Sequence, residues 1–168
     1  RKGIDLLGCI PNEPILSNPS MQQVFDELGG ELINGHASLA RNVETVIVGA
    51  MAAHRALEYI CPHCLLITPG DRDDLVLAAV GTCALAPTTE SCVAGILLTG
   101  GTRPNENVLK LMARTNIPVI LHEDDSYTVA AGVHALKVKI QPSDSSKIAL
   151  VPQLVRKYVD VQHILDRL

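Results

Sequence analysis

The chain has 168 residues and a formal net charge of −4; 47% of its residues are apolar but only 2% are aromatic, with no tryptophan and a single phenylalanine. That length predicts one well-formed core, and the composition makes it aliphatic. No window clusters the Lys and Arg that phosphate neutralisation along a nucleic acid requires, stacking platforms are scarce, and no apolar run reaches the 18 residues of a membrane span. Nucleic acid and membrane are therefore not expected partners, and a soluble cytoplasmic protein is the expectation.

In chain order, "DLLGCIP" (5–11) reads as a strand stopped by Pro11. "NPSMQQVFDELGG" then reads as a helix, with Asn18 or Ser17 as cap, Pro19 in the first turn and Gly29 or Gly30 closing it. Four short runs rich in Val, Ile and Leu follow: "VETVIVGA" (43–50), "LLIT" (65–68), "VAGILLT" (93–99) and "PVILH" (118–122). Each has the continuous apolar character of a parallel strand buried on both faces. Between them, "DDLVLAAVGTCALA" sets Leu75, Ala78, Ala79 and Cys83 at helical spacing, and "NENVLKLMARTN" does the same with Val108, Leu111 and Met112. Asp71 and Asn105 are the expected N-caps. After the polar turn "QPSDSSK", Ile148, Val151, Leu154, Val155 and Tyr158 form a further helical stripe, and a short helix over 161–168 is expected to end the chain. The alternation predicts an α/β fold: a three-layer or doubly wound, mostly parallel sheet flanked by helices.

Ligands in open parallel sheets bind beyond the carboxyl ends of the strands. Here those tips carry Gly49, Ala50 and Met51; Thr68, Pro69, Gly70, Asp71 and Arg72; Thr99, Gly100, Gly101, Thr102 and Arg103; and Glu123, Asp124 and Asp125. Glycines admit close backbone approach, helix starts attract anions, and Arg72 and Arg103 would supply counter-charge. Gly49, Thr68, Gly70, Asp71, Arg72, Thr99, Gly100, Gly101, Arg103 and Asp124 are accordingly the candidate ligand-binding residues, for a small phosphate or carboxylate. The same letters also suit ordinary turns and helix caps.

Other chemistry is thinly signalled. Cys9, Cys61, Cys64, Cys83 and Cys92 are an odd count in a chain too large to need disulfide staples, which predicts reduced thiols. "CPHC" (61–64) has the C-x-x-C spacing of redox sites but precedes a strand and has no second pair to complete a zinc site, so structural cysteines are expected. No phosphate-binding G-x-x-x-x-G-K-[ST] loop, G-x-S-x-G elbow or H-E-x-x-H pair occurs. Of the histidines, only His122 falls at a strand tip. No catalytic residue, metal or cofactor is assigned.

The runs "VIVGAM", "LLITPGDRDDLVLAA", "GILLTGGTRPNENVLKL" and "IPVILHEDDSYTVA" together resemble the DRTGG domain, found in the middle of long phosphotransacetylases and in dethiobiotin-synthetase-like P-loop proteins. The resemblance spans roughly residues 20–140. It implies that residues 1–19 are the exit strand and linker of an upstream P-loop domain, 20–142 the DRTGG-like domain and 143–168 a helical tail; Arg1 then marks an internal start. It implies a regulatory or assembly module, with acetyl transfer residing in a separate downstream domain. Relatives joined to nucleotide-sensing CBS domains imply response to a small anionic ligand, such as an adenine nucleotide, and homodimerisation. Two rivals stay open: a fragment of the phosphate acetyltransferase enzyme that retains part of an acyl-phosphate site, and a purely structural dimerisation module.

Overall fold

The computed structural model describes residues 6–85, 88, 92–142 and 144–166. Two compact units emerge: Asn18–Val138, and a second formed by Arg1–Ser17 with Lys139–Leu168.

The first unit is built on a five-stranded sheet in the order β1-β5-β4-β3-β2. Strands β2 (Thr45–Val48), β3 (Cys64–Pro69), β4 (Gly95–Thr99) and β5 (Val119–Leu121) are mutually parallel, in registers that include Val46 with Leu65, Leu66 with Ile96 and Leu97 with Ile120. Strand β1 (Glu31–Asn34) runs antiparallel on the outer side of β5, Glu31 facing Leu121. The four apolar runs thus become the four parallel strands. Burial on both faces holds for β3, β4 and β5 but not for β2, whose Thr45 and Val48 are exposed. The correction follows from position: β2 is an edge strand, and only its β3 side is covered.

Successive strands from β2 to β5 step across the sheet in one direction. Right-handed crossovers then carry α3 (Ala53–Ala56), α4 (Asp73–Leu85) and α5 (Glu106–Met112) to the same face. Leu66, Ile96 and Leu98 pack there against Leu75, Val76, Ala79, Val108 and Met112. On the other face, α2 (Met21–Leu28) and α6 (Ser126–Ala135) bring Met21, Val24, Val129 and Val133 onto Leu65, Ile67, Leu97 and Ile120. Alternate residues of a strand point to opposite faces, so one continuous run such as Leu65-Leu66-Ile67 supplies both cores, each fully buried side chain worth about 1.5–3 kcal/mol.

Several local expectations shift. The α2 cap is Ser20, not Asn18 or Ser17: its hydroxyl accepts from Gln23 N at 3.2 Å while the Gln23 side chain accepts from Ser20 N at 3.0 Å, a reciprocal box that only this Ser can close. Gly29, at φ +77°, ends the helix as expected. Asn105 caps α5, accepting from Asn107 N at 2.9 Å. Asp71 does not cap α4. A turn closed by Arg72 N donating to Pro69 O (3.1 Å) occupies residues 69–72, so the helix begins only at Asp73. Leu111 stays 44% exposed, because α5 turns Val108 and Met112 inward instead.

The cysteines also depart from expectation. The crossover through α4 returns its end to the start of β4, where Cys83 and Cys92 lie with Cα atoms 4.7 Å apart and form a disulfide. Cys9, Cys61 and Cys64 are free thiols. The "CPHC" segment is the turn into β3, with His63 in the left-handed region at φ +59°. Burial pushes the Cys64 thiol up to about 12, which leaves it protonated and unreactive.

In the second unit, residues 6–11 do not form the expected strand; residue 5 lies outside the described residues. Gly8 makes one isolated antiparallel bridge with Val159, and a lone bridge cannot propagate a ladder. A single turn of helix, α1 (Pro14–Ser17), follows. The predicted tail helix is present as α7 (Ser145–Tyr158), with Leu154 buried but Ile148 exposed, and α8 (Val161–Leu165) follows it.

Candidate functional site

The loops after β2, β3 and β4 turn toward one face of the sheet, and the loop after β5 turns toward the other. The topological switch therefore lies between β4 and β5, where open α/β sheets place their ligand crevice. Here the crevice is laced by hydrogen bonds. Gly100 N donates to Asp124 O at 2.8 Å and Gly101 N to His122 O at 2.9 Å, and the Thr99 and Ser126 hydroxyls lie 2.6 Å apart. Gly101 sits at φ +62°, a backbone conformation that favours glycine, beside the exposed Glu123 carboxylate.

The neighbouring loop is locked on as tightly. Gly70 N donates to Thr99 O at 3.0 Å, and a Cβ on Gly70 would fall onto the Thr102 carbonyl oxygen. Asp73 accepts from Asn105 N at 3.1 Å, tying the start of α4 to the cap of α5. His122 bridges to the other face: Nε2 lies 3.0 Å from Leu28 O, and Nδ1 accepts from Asp124 N at 3.1 Å. With Nδ1 an acceptor, the proton belongs on Nε2, donated to Leu28 O. His122 is a structural tie of the loop.

The two arginines do not converge. Arg72 forks onto Asp74, with Nε and Nη2 donating to its two carboxylate oxygens at 2.8 and 2.9 Å, and Nη2 also donates to Met51 O at 2.7 Å. The fork onto Asp74 raises the Arg72 guanidinium further and holds Asp74 below the usual carboxylate range. Arg103 pairs instead with Glu31. Since Met51 follows β2 and Glu31 opens β1, the guanidiniums reach toward opposite edges of the sheet.

The strand-end loops are rich in acid, carrying Asp71, Asp73, Asp74, Glu123, Asp124 and Asp125, and their two arginines are already paired. Asp125 caps α6; the hydroxyl of Thr128 and the N–H groups of Thr128 and Tyr127 hold its carboxyl below the ordinary value. Deeper in, Thr68 is fully buried and its hydroxyl has no hydrogen-bond partner among the described residues. It lies beside Gly49, which itself donates to Ile67 O at 2.7 Å.

Of the ten candidates, Gly70, Thr99, Gly100, Gly101 and Asp124 meet in one hydrogen-bonded set; Gly49 and Thr68 sit together at the β2–β3 end; Arg72 and Arg103 are held apart, and Asp71 is exposed. Glu31, Asp73, Asp74 and Ser126 complete the site and were not anticipated, while Met51, placed at a strand tip, contributes its carbonyl to Arg72. Asp73 and Asp74 lay in view within "GDRDD", whereas Glu31 is 72 residues from its partner and carries no local signal. Among the described residues, no three His, Cys, Asp or Glu side chains gather as a metal site would, and no helix is long and apolar enough to cross a membrane.

Comparison with known proteins connects this geometry to a family. A family model described as the DRTGG domain matches residues 23–136. The phosphate acetyltransferase of Nitratidesulfovibrio vulgaris is 32% identical over 162 residues, covering 95% of this chain and 23% of the relative. That of Nitrosomonas europaea is 30% identical over 170 residues, covering 99% and 24%. The chain thus spans about a quarter of the length of these relatives. Among solved structures, the CBS and DRTGG domains of the regulatory region of Clostridium perfringens pyrophosphatase, complexed with the activator diadenosine tetraphosphate, align with a TM-score of 0.55 and 26% identity, covering 68% of this chain and 45% of that one. With its central sheet and strand-end loops inside the matched segment, the chain belongs to the DRTGG domain family.

Proposed function

We propose that this chain is a regulatory and assembly module of a phosphate acetyltransferase-like protein: it senses a small anionic ligand, of the adenine-nucleotide class, at its strand-end loops, and it pairs with a second copy. The observation that carries the reading is the likeness to a DRTGG-containing regulatory region solved with a nucleotide activator. The paired arginines supply a mechanism. Exposed ion pairs contribute about 0–1 kcal/mol, so an incoming anion displaces Glu31 from Arg103 at little cost, and Asp74 from the less exposed Arg72 at a greater one. Taking Arg103 loosens β1; taking Arg72 loosens the start of α4 from Met51. Ligand occupancy thereby becomes a change in how loops and edge are held.

The parent protein in this reading is a phosphate acetyltransferase, as its relatives are named, and catalysis resides elsewhere along it. Self-association is supported by β2, which has one unpaired edge, and by exposed Val48, Leu57 and Tyr59 near it in the chain.

Calorimetry and thermal shift with ATP, diadenosine tetraphosphate, acetyl phosphate and coenzyme A test the sensing role. One of them should saturate the chain, adding about 2.7 kcal/mol at 100 times its Kd, and Arg72→Ala or Arg103→Ala should erase that shift. Thr68→Val should raise the melting temperature, since an unsatisfied buried hydroxyl costs about 1–3 kcal/mol, and should weaken the ligand. If none of the four binds, the sensing role falls; a monomer at high micromolar concentration by sedimentation removes the assembly role.

A further inference from the structure

The opposite, amino-terminal end of the parallel strands holds a cavity of about 690 Å³, within the size range of small-molecule sites. Its walls come from the last turns of α4, the end of α5 with the segment leading into β5, and Arg41, which precedes β2. Val80, Leu111, Ile117 and the Cys83–Cys92 bridge give it an apolar lining. Two cations border this lining, Arg41, which is half-buried, and Arg114, which is exposed.

Arg41 spends one N–H on Val93 O, at 3.0 Å. A guanidinium has five such donors, so most of its capacity is unspent by that bond. Among the described residues neither Arg41 nor Arg114 has a carboxylate within ion-pair distance, whereas Arg72 and Arg103 at the other end of the sheet both do. Burial also depresses the Arg41 guanidinium, which is partly stripped of water. Leu111, left 44% exposed where the helical spacing predicts a core position, lies on this cavity. Apolar walls bordered by two arginines that have no carboxylate partner among the described residues fit one ligand chemistry.

We propose that this cavity is a second ligand site, distinct from the strand-end loops, for a small organic anion whose carboxylate or phosphate head lies between Arg41 and Arg114 and whose short aliphatic body packs on Val80, Leu111 and Ile117. The site is independent of the sensing role proposed above, because it shares no residue with the strand-end loops.

The test is titration of the 168-residue chain with straight-chain carboxylates from acetate to hexanoate, and separately with inorganic phosphate, followed by amide chemical shifts. Affinity should rise about fourfold per added methylene, from about 0.8 kcal/mol for each buried CH₂, until the cavity is filled. Inorganic phosphate, lacking a body, should perturb the same amides more weakly; a phosphate response stronger than hexanoate's would reject the aliphatic subsite. Arg114→Gln should lose at least tenfold in hexanoate affinity at an unchanged melting temperature. Arg41→Gln should lose as much, judged only if its native spectrum is kept. Arg72→Ala and Arg103→Ala should bind hexanoate as the wild type does. Perturbation that fails to saturate, that survives Arg114→Gln, or that maps to residues 99–103 would overturn the proposal, while leaving the nucleotide titrations to judge the strand-end site separately.

Discussion

At the scale of single residues, Asp71 and Arg72 exchange the roles that their letters suggest. Asp71 reads as a helix cap and Arg72 as a free ligand-facing charge; in the fold Asp71 is exposed and Arg72 is the tie, joining Asp74 to the Met51 carbonyl. Hydrogen bonds to charged groups contribute about 1.5–3 kcal/mol when shielded, and this one is only partly so. Arg72→Ala should therefore cost about 1–2 kcal/mol in chemical denaturation, while Asp71→Ala stays within about 0.5 kcal/mol of wild type. Equal costs would contradict the assignment. Gly70 is a sharper case, because its missing side chain makes room for the Thr102 carbonyl. Gly70→Ala must separate two backbones and should cost about 3 kcal/mol, at the upper end of overpacking effects, whereas Gly81→Ala, facing open space in α4, should be neutral or stabilising.

Among the elements, those read most directly from the letters are the ones whose environment is uniform along their length. The runs ending at Thr68 and Thr99 are apolar because both faces of β3 and β4 are covered, and the reading needs nothing beyond the run itself. "TVIV" has the same letters but lies at an edge, and edge position is decided by strand order, which composition does not encode. Strand β1, only Glu31–Asn34, and helix α6, where Val129 and Val133 are interspersed with Gly132 and Thr128, carry too diluted a pattern to be recognised. Within the site, the loops could be located but not their pairings: Arg103 with Glu31 and Asp73 with Asn105 depend on the topology that brings distant segments together. The Cys83–Cys92 bridge is illegible for the same reason. Closing so short a loop stabilises by about 2–3 kcal/mol on chain-entropy grounds, so a dithiol reductant should lower the melting temperature by at least several degrees and raise the thiols titrated under denaturing conditions from three to five. Five thiols without reductant would place the pair in the reduced state.

For the whole molecule, acid sensitivity gathers at the helix starts. Asp74 and Asp125 are held below the ordinary carboxylate range in the folded chain, chiefly by Arg72 and by the Thr128 hydroxyl. Their folded-state values lie under the unfolded one of about 3.9, so what they contribute is fully present above that pH and is lost as pH falls through the depressed values. Stability should therefore be flat in these groups near neutrality and fall below about pH 4. Asp74→Asn should flatten part of that acid limb in urea midpoints measured from pH 2 to 6; an unchanged limb would assign it to other carboxylates.

The strand order also sets a timetable for synthesis. β2, β3 and β4 each find their partner in the next strand to emerge, but β1 must wait for β5, roughly ninety residues later, an interval of about 5–20 s at ordinary rates of translation. Met21 and Val24 wait as long, since Ile120, Val129 and Val133 complete their face. The earliest core segment of the sheet unit to leave the ribosome is thus among the last to be covered. Ribosome-stalled chains ending near residue 115 should offer residues 21–34 to protease and to holdase chaperones, and chains long enough to bring residue 138 clear of the ribosome should not. Protection already present in the shorter chains would mean that this segment finds shelter before its native partners exist.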